Sequence, residues 1–492
     1  MIRVRDLTFA YPALQPSVKS VPVFEDLSLT LDAGDALAVM GASGSGKTTL
    51  AHVIAGLAPR FTGGTQEGTV RVRGHDAIAS PLPVGEVGLL FQDAATQLFS
   101  TTVEEEIAWG LEAMGIESSL IERRIRRALD RFGLSGLRRR HPWALSGGQQ
   151  KRLALAAIWA MQPRTFVLDE PLGGLDPVGR DEVLKAMRSL QPTGVTFLLM
   201  TLRPEAARTV SHVSVLGEGR VTASDTAETI LSQEDSLVEV GILLPPSRWP
   251  DLSPRDVSRS GEGAPALIVD HLSFHYPGGP EVLHNLSLSV PSGQFLALVG
   301  PNGGGKSTLI RHFNGLLRPT HGTLKVMGRD TADRATGDLA RDVGFLFQRP
   351  ETQLFSSTVR QEIAYGPRNL GLARGDEAID RIMQRFDLIA VADTPPALLS
   401  YGDKRAVTLA SLAILETPIV VLDEPSVGLD GEGLSQLLSW LAELRERGRT
   451  VILVTHELEL ARRADRVIAL DAGHIIADGE PDSALAHLGW GC

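Results

Sequence analysis

The stretch GASGSGKTT at residues 41–49 recurs as GPNGGGKST at residues 300–308, and an aliphatic run precedes each copy. The spacing Gly-x-x-x-x-Gly-Lys-[Thr/Ser] is typical of a loop that joins a buried strand to a helix and wraps a triphosphate. Its glycines let backbone N–H groups converge on phosphate, its lysine reaches the β- and γ-phosphates, and its hydroxyl binds Mg²⁺. An ordinary glycine-rich turn explains one copy; two copies in matching contexts predict two phosphate-binding loops.

We call residues 41–49 and 300–308 the first and second phosphate loops. The residues predicted to bind nucleotide there are Gly41, Ser43, Gly44, Gly46, Lys47, Thr48 and Thr49 in the first, and Gly300, Asn302, Gly303, Gly305, Lys306, Ser307 and Thr308 in the second. Thr48 and Ser307 are also predicted metal ligands, because their hydroxyls follow the lysine.

The phosphate loops belong to a much longer repeat. LTFAYP at 7–12 matches LSFHYP at 272–277, and the segment at 88–110 matches the one at 344–366. The offset stays nearly constant, with 306 − 47 = 259 for the loop lysines and 423 − 169 = 254 for two aspartates. A unit of this length is a whole domain rather than a solenoid repeat. The chain is therefore predicted to contain two domains, 1–244 and 266–492, joined by a linker rich in Pro, Ser and Gly at 245–265.

Each domain is predicted to be α/β. Short aliphatic runs such as ALAVMG at 36–41 and TFVLDE at 165–170 are typical of buried parallel strands, and IERRIRRALDRFG at 121–133 has helical periodicity. Strands that alternate with helices favour a mostly parallel sheet.

Acidic pairs follow a second aliphatic strand in each half. Asp169 and Asp423 end the runs TFVLD and IVVLD, where a carboxylate can reach Mg²⁺. The next residues, Glu170 and Glu424, are predicted to polarise the attacking water. Strands often end in acidic residues, so the prediction depends on the phosphate loop upstream.

Composition excludes several classes of protein. The 492 residues contain 43% hydrophobic and 22% charged residues, which describes a globular chain rather than a disordered one. The net charge of −11 argues against a protein whose main surface grips nucleic acid. The lone cysteine, Cys492, allows no intramolecular disulfide. Neither a signal-peptide core nor a long apolar run is present, so we expect a chain that does not span a membrane.

The segment LSGGQQKR at 145–152 resembles the signature of ATP-binding-cassette (ABC) ATPases, and the order of motifs in both halves is similar to that family. The resemblance implies ATP and Mg²⁺ as cofactors and a helical subdomain in each half. It also implies that the two halves stack head to tail, so that each ATP lies between the phosphate loop of one half and the signature of the other. The signature residues that it assigns to ATP binding are Ser146, Gly147, Gly148, Gln149, Ser400 and Gly402.

The same resemblance assigns further roles. Tyr11 and Tyr276 are expected to stack on adenine, although a strand aromatic of this kind is ordinarily half-buried packing. Gln92 and Gln348 are expected to sense Mg²⁺ and water, and so count among the metal ligands. Asp176 and Asp430 are expected at the interface between the halves.

Two departures from the family pattern are expected to fall together. The family's γ-phosphate histidine is present as His456, but the first half has Leu202 at that place. The second signature, LSYGD at 399–403, has Tyr401 and Asp403 where glycine and glutamine are expected. A carboxylate about 5 Å from a triphosphate charge costs roughly 3 kcal/mol at an effective dielectric constant of 20. Head-to-tail pairing would place all three changes in one composite site. We therefore predict one hydrolytic site, with Gln348, Glu424 and His456, and one slow site that keeps Glu170.

The segments QLFSTTVEEEIAWG and QLFSSTVRQEIAYG, at 97–110 and 353–366, resemble those of energy-coupling-factor (ECF) importer ATPases. The resemblance implies a peripheral protein at the cytoplasmic face of the membrane, with a transmembrane coupling subunit and a substrate-binding subunit as partners and a vitamin or metal ion as cargo. It also implies that Glu104–Glu106 and Glu362 pair with arginines of the partner. The alternative is that these carboxylates are solvated residues that favour the helix dipole.

Two other tandem ABC classes remain open at this point. Monosaccharide importers have tandem cassettes, but their second phosphate loop typically lacks the lysine that is present here as Lys306. Soluble translation factors carry a long charged arm for ribosomal RNA, whereas the linker here is short and rich in proline, and no nucleic-acid partner is expected.

Overall fold

The computed structural model describes residues 1–12, 20–190, 194–252 and 265–489. Contacts divide the chain into two compact units, 1–243 and 244–492. Each contains a four-stranded antiparallel sheet, a six-stranded sheet and a group of helices.

The described residues of the first unit form ten strands in two sheets. The strands are β1 (Ile2–Ala10), β2 (Pro22–Leu31), β3 (Ala36–Met40), β4 (Thr65–Val72), β5 (His75–Asp76), β6 (Val87–Leu90), β7 (Thr165–Asp169), β8 (Thr196–Thr201), β9 (His212–Gly217) and β10 (Arg220–Thr226). The antiparallel sheet has the order β2-β1-β4-β5, and the larger sheet has the order β10-β9-β3-β8-β7-β6. Strands β9, β3, β8, β7 and β6 run parallel, whereas β10 is antiparallel to β9. The α/β class with a mostly parallel sheet is confirmed.

The helices of the first unit are α1 (Lys47–Ile54), α2 (Val103–Ala113), α3 (Ser118–Arg131), α4 (Gly147–Ala160), α5 (Pro177–Leu190), α6 (Pro204–Ala207), α7 (Ala227–Ser232) and α8 (Glu234–Glu239). Helices α2, α3 and α4 pack on one another and form the helical subdomain. In α3 the buried residues Ile125, Ala128 and Leu129 recur at helical spacing, because that face alone meets the core.

The second unit repeats this architecture. Its strands are β11 (Leu267–His275), β12 (Glu281–Val290), β13 (Phe295–Val299), β14 (His321–Val326), β15 (Arg329–Asp330), β16 (Val343–Leu346), β17 (Ile419–Asp423), β18 (Thr450–Val454), β19 (Arg466–Asp471) and β20 (His474–Gly479). Its sheets have the orders β12-β11-β14-β15 and β16-β17-β18-β13-β19-β20. Its helices are α9 (Lys306–Phe313), α10 (Thr336–Leu339), α11 (Val359–Asn369), α12 (Asp376–Arg385), α13 (Tyr401–Ala413), α14 (Gly431–Glu446), α15 (Leu458–Ala461) and α16 (Pro481–Ala486).

The aliphatic runs predicted as strands are confirmed. ALAVM forms β3 and TFVLD forms β7, and both are almost wholly buried because helices or a second sheet cover each face. The antiparallel sheets were not predicted. Their strands alternate buried and exposed residues, and one apolar face packs against α1 or α9 and the six-stranded sheet.

The segment after Leu243 packs on the second unit. Trp249 donates its indole N–H to the carbonyl oxygen of Leu244 at 3.1 Å, and Leu252 is fully buried in the second unit's core. The remainder of the predicted linker, residues 253–264, and Cys492 lie outside the described residues. Across the described ranges, no helix combines the length and apolarity that crossing a bilayer requires.

The environment of buried His312 leads us to expect that the second unit is sensitive to acid. Its Nδ1 donates to the Thr308 carbonyl oxygen at 2.8 Å, and its buried Nε2 has no hydrogen-bond partner among the described residues. Burial lowers the pKa of His312, so the unfolded chain binds a proton below about pH 6.5 that the folded chain rejects.

We therefore expect the free energy of unfolding of the second unit to fall as pH drops below the ordinary histidine pKa. The slope for one proton is about 1.4 kcal/mol per pH unit. His312→Val, which copies Val53 at the equivalent place (312 − 259 = 53), should remove that share of the slope in urea titrations between pH 5 and 7.5. Exposed His487 is the site of the matched control substitution, His487→Ala. An unaltered slope in His312→Val would contradict the prediction.

Candidate functional site

In each unit, the predicted site residues lie at the carboxyl ends of four neighbouring parallel strands of the six-stranded sheet. In the first unit, the phosphate loop follows β3, Leu202 follows β8, Asp169 and Glu170 lie at the end of β7, and Gln92 follows β6. In the second unit, β13, β18, β17 and β16 deliver the second phosphate loop, His456, the Asp423–Glu424 pair and Gln348. Carboxyl ends of parallel strands are where α/β sheets bind ligands.

The phosphate loops have the backbone that their glycines permit. Gly44 and Gly46 have φ of 74° and 98°, and Gly303 and Gly305 have φ of 82° and 99°. A Cβ atom on Gly46 would lie 2.4 Å from the Phe24 ring, so the loop also needs glycine for space. Each loop ends at the N-terminus of a helix, α1 or α9, where free N–H groups and the helix dipole favour phosphate.

The side chain of each phosphate-loop lysine turns back and binds carbonyl oxygens of its own loop. Lys47 Nζ donates to the carbonyl oxygens of Gly41 and Ala42 at 2.6 and 2.9 Å. Lys306 Nζ does the same to Gly300 and Pro301 at 2.7 and 2.9 Å. Both ammonium groups are buried at the place where the phosphates of a nucleotide would lie.

The residues predicted to hold Mg²⁺ are adjacent in both units. Thr48 Oγ1 donates to Asp169 Oδ2 at 2.7 Å, and Ser307 forms the matching hydrogen bond to Asp423. The other carboxylate oxygen, Oδ1, is buried and has no hydrogen-bond partner among the described residues in either aspartate. Burial raises the pKa of Asp169 to about 6 and also raises that of Asp423, so each carboxylate gains from a cation. One hydroxyl and one carboxylate per site fit Mg²⁺, which takes its other ligands from phosphates and water.

The acidic residues after the aspartates differ in their partners. Both adopt left-handed backbone, with φ of 43° at Glu170 and 50° at Glu424. Glu424 accepts from the backbone N–H of His456 at 3.3 Å, and its Oε1 lies 3.1 Å from His456 Nε2. The same Nε2 lies 2.9 Å from Asn302 Oδ1 in the second phosphate loop. Both of these oxygens can accept a hydrogen bond from Nε2.

In the first unit, Leu202 follows β8 at the place that His456 has after β18. Glu170 Oε1 accepts from the backbone N–H of Leu202 at 2.7 Å, and Thr201 Oγ1 lies 3.3 Å from Oε2. Burial raises the pKa of Glu170 and of Glu424 because both carboxylates leave water almost completely.

The signature segments also differ. Ser146 caps α4 in a capping box, since its hydroxyl accepts from the Gln149 N–H while Gln149 Oε1 accepts from the Ser146 N–H. Ser400 caps α13, but its hydroxyl donates to the Asp403 carboxylate at 2.7 Å. Gly147 and Gly148 begin α4, whereas Tyr401 and Gly402 begin α13.

The predicted tyrosines and the predicted interface aspartates make hydrogen bonds within their own units. Tyr11 and Tyr276 bond through their hydroxyls to Thr49 and Thr308 at 3.1 and 3.2 Å, which holds the rings beside the phosphate loops. Asp176 and Asp430 accept from the N–H groups of Gly179 and Gly433 and cap α5 and α14.

The structure corrects the prediction that Glu106 and Glu362 pair with arginines of a partner. Both carboxylates are buried, and each accepts from two backbone N–H groups of its own unit. Glu106 Oε2 accepts from the backbone N–H groups of Phe99 and Ser100 at 3.0 and 2.8 Å. Glu362 Oε2 accepts from those of Phe355 and Ser356 at 3.0 and 2.7 Å. Glu104 is bonded to Arg138 and Glu105 to Thr101. Glu106 and Glu362 thus fasten the QLFS segment to the helix that follows it.

Sequence reasoning missed Gln97 and Gln353. Gln97 accepts from the Phe91 N–H at 2.8 Å and donates to the Leu89 carbonyl oxygen at 2.9 Å; Gln353 makes the equivalent bonds at 2.9 and 3.0 Å. Each side chain closes the loop that carries Gln92 or Gln348. The signal was present in the sequence as the first letter of QLFS in both copies.

Comparison with known proteins identifies the family. The family model described as "ABC transporter" matches residues 24–173 and 283–427. A protein of Methanosarcina acetivorans named "Putative ABC transporter ATP-binding protein" is 32% identical and covers 97% of this chain and 85% of its own length. A protein of the same description from Caldanaerobacter subterraneus subsp. tengcongensis is 31% identical, over 96% of this chain and 90% of its own.

Solved structures that match include cbiO1 from Clostridium perfringens, described as part of the ABC transporter complex cbiONQ. It is 31% identical over 45% of this chain and 91% of its own, with a TM-score of 0.40. With two matches to the family model and full-length relatives of this description, the chain belongs to the ABC transporter family and is an ATPase with two ATP-binding domains in tandem that uses ATP and Mg²⁺.

Proposed function

We propose that the chain is the ATP-hydrolysing subunit of an ECF-type importer, which couples ATP binding and hydrolysis to uptake of a vitamin or metal ion. Its partners would be a transmembrane coupling subunit and a substrate-binding subunit, and it would lie at the cytoplasmic face of the membrane. The two domains, 1–244 and 266–492, would pair head to tail within one chain. The observation that supports the importer assignment most directly is an exposed aromatic surface present in both units.

We call this feature the coupling surface: Phe99 with Trp109 in the first unit, and Phe355 with Tyr365 in the second. The rings meet edge to face, with centroids 4.9 and 4.6 Å apart. All four are exposed, by 59%, 55%, 64% and 48% of their surface. Exposed aromatic residues grouped in this way mark sites of protein association.

The coupling surface is built on a rigid base. Buried Glu106 and Glu362 each bind the two N–H groups that fix the position of the first aromatic residue, while the second lies on the helix that carries the glutamate. A preorganised aromatic anchor loses little entropy when it binds a partner. The surface therefore suits a short apolar helix of a transmembrane subunit.

Removal of the aromatic pair should separate association from catalysis. We expect Phe99→Ala combined with Trp109→Ala to cost about 2 kcal/mol or more of binding to the membrane subunits, as central aromatic anchors commonly do. ATP turnover of the isolated chain should remain unchanged, because both rings are exposed and neither residue is among those predicted to bind nucleotide. The measurement is co-purification from detergent-solubilised membranes, with identification of the integral subunits and of any small molecule they hold.

Phe61, exposed by 77% and outside the coupling surface, supplies the matched control. Phe61→Ala should leave membrane association at the wild-type level. Recovery of the chain with ribosomes, in a form that salt releases, would refute the importer and support the ribosomal alternative.

The second part of the proposal is that only one composite site hydrolyses ATP rapidly. The competent site would combine the second phosphate loop, Gln348, Asp423, Glu424 and His456 with Ser146–Gln149. The slow site would combine the first phosphate loop, Tyr11, Gln92, Asp169 and Glu170 with Ser400 and Gly402. The unequal contacts of Glu424 and Glu170 support this division, because Glu424 lies beside an imidazole nitrogen whereas Glu170 accepts from the backbone N–H of Leu202.

The signatures support the same division. Gln149 leaves the Ser146 hydroxyl free to donate to phosphate, because its own bond to Ser146 uses that oxygen only as an acceptor. The Ser400 hydroxyl instead donates its hydrogen bond to Asp403, whose negative charge would also repel phosphate. Leu202, Tyr401 and Asp403 would all lie in the slow site.

A further inference from the structure

The buried cation on the signature helix has different partners in the two units. Arg405, on the first turns of α13, has no exposed surface. Its Nη1 donates to the Phe347 carbonyl oxygen at 2.8 Å, and its Nη2 donates to the carbonyl oxygen of Gln348 and to the Tyr401 hydroxyl, the latter at 3.2 Å. The guanidinium carbon also lies 5.8 Å from the centre of the Tyr401 ring.

The equivalent residue of the first unit is Lys151, five positions after the signature serine in both cases. Its Nζ donates to the carbonyl oxygens of Glu170 and Gly173 at 2.8 and 2.9 Å, in the turn after β7. Burial lowers the pKa of Lys151 to about 8. The first unit therefore joins its signature helix to the turn after the acidic pair, whereas the second unit joins it to the loop that carries Gln348.

The position of Tyr401 explains why Arg405 does not bind the turn after β17 in the way that Lys151 binds the turn after β7. Tyr401 stands where the first unit has Gly147, and its ring lies against Gly428 in the turn after β17, so closely that a Cβ atom on Gly428 would be 2.3 Å from Tyr401 Cε1. The ring thus covers the turn whose counterpart Lys151 contacts. Its hydroxyl faces Arg405 and accepts one of the guanidinium N–H groups.

Arginine has the shape that this position requires. A planar guanidinium presents several N–H donors in fixed directions, so it can bind two successive carbonyl oxygens and a hydroxyl together. A lysine ammonium is a single point charge on a flexible stem and cannot reproduce that fork. Because Arg405 is buried and two of its partners are the main-chain carbonyl oxygens of Phe347 and Gln348, the fork fixes the path of the backbone there.

We propose that Arg405 is a positioning residue for Gln348, and that the Tyr401–Arg405 pair joins the altered signature to the loop that serves the competent site. The inference rests on the proposed function of Gln348 at Mg²⁺ and water. Under this proposal Tyr401 does more than replace a signature glycine. A conformational change at the signature of the slow site would reach Gln348 through the side chains of Tyr401 and Arg405.

The test is the Mg²⁺ dependence of steady-state ATP hydrolysis by the full chain. Arg405→Lys should raise the Mg²⁺ concentration for half-maximal turnover about tenfold, as loss of a group that orients a metal ligand commonly does. Binding of ATP without Mg²⁺, measured with EDTA present, should stay at the wild-type value. Tyr401→Phe, which keeps the ring and removes one acceptor, should shift the Mg²⁺ dependence in the same direction by a smaller factor.

A double mutant separates positioning from a general loss of stability. Gln348→Ala should show the same Mg²⁺ shift, and Arg405→Lys added to it should cause no further shift, because the residue being positioned is already absent. Arg445 is the matched control: it is a buried arginine of the same unit, paired with Asp465. Arg445→Lys should lower the melting temperature without altering the Mg²⁺ dependence.

The outcomes also distinguish this inference from the proposed function. If Gln348→Ala leaves turnover and its Mg²⁺ dependence unchanged, the role proposed for Gln348 is wrong and the inference falls with it. If Gln348→Ala shifts the Mg²⁺ dependence while Arg405→Lys and Tyr401→Phe do not, the inference alone is wrong. Additive shifts in the double mutant would overturn it as well.

Discussion

Glu424→Gln should reduce steady-state ATP hydrolysis by the whole chain about 100- to 1,000-fold, the usual effect of removing a general base or a preorganised electrostatic contact. Glutamine keeps the shape of the side chain but cannot take a proton from water. The surroundings favour this role, because burial raises the pKa of Glu424 and makes its carboxylate a stronger base. Phosphate release at saturating MgATP measures the loss.

Glu170→Gln is the matched comparison, since Glu170 occupies the same place after β7 with the same left-handed backbone. We expect it to leave most of the turnover intact, because the site that it serves would already be slow. ATP binding should survive in both variants, as neither carboxylate is needed to hold the phosphates. Equal losses from the two substitutions would contradict the proposed division of labour.

His456→Ala should have the second largest effect, a loss of about 100-fold in turnover from removal of one preorganised contact to the γ-phosphate. The imidazole is almost fully buried and lies within hydrogen-bond distance of both Glu424 and Asn302, so alanine would also leave Glu424 without its neighbour. Single-turnover hydrolysis with enzyme in excess separates this chemical loss from slow release of product.

Leu202→Ala provides the control for His456, because Leu202 contributes only its backbone N–H to Glu170 and alanine retains that group. The turnover of this variant should match that of the wild type.

Trapping of a transition-state nucleotide complex in the wild-type chain should yield one nucleotide per chain rather than two. Two equally occupied traps would refute the assignment of Leu202, Tyr401 and Asp403 to one slow site.

The local elements follow closely from the sequence. A phosphate loop is defined by glycines that permit positive φ and by a lysine that folds into the loop, and these constraints act within nine residues. Strands β3 and β7 were equally clear, because burial on both faces requires an unbroken aliphatic run. The antiparallel sheets were not foreseen, since their alternating residues reveal a half-buried strand but not its partners.

The acidic residues after QLFS show where sequence reasoning fails. Three glutamates in the first turn of α2 look like a solvated or partner-facing cluster. The structure instead buries Glu106, because the QLFS segment turns back over the helix and needs an acceptor for two N–H groups. Neither charge nor helical period encodes that turn.

From sequence alone came the duplication, the ATP chemistry and the list of substituted positions, because each rests on short motifs that can be compared with their second copy in the chain or with the pattern of a known family. Only the tertiary structure decided which neighbours those residues have. It places His456 beside Glu424 and Asn302, and it lets the Ser400 hydroxyl donate to Asp403. It also brings Arg405 to the Gln348 carbonyl oxygen, whereas Lys151 binds the turn after β7. The physical reason is that side chains far apart in the sequence meet only where the parallel strands end at a common edge of the sheet. Their contacts also depend on neighbours such as the Tyr401 ring, which packs against Gly428 in the turn after β17.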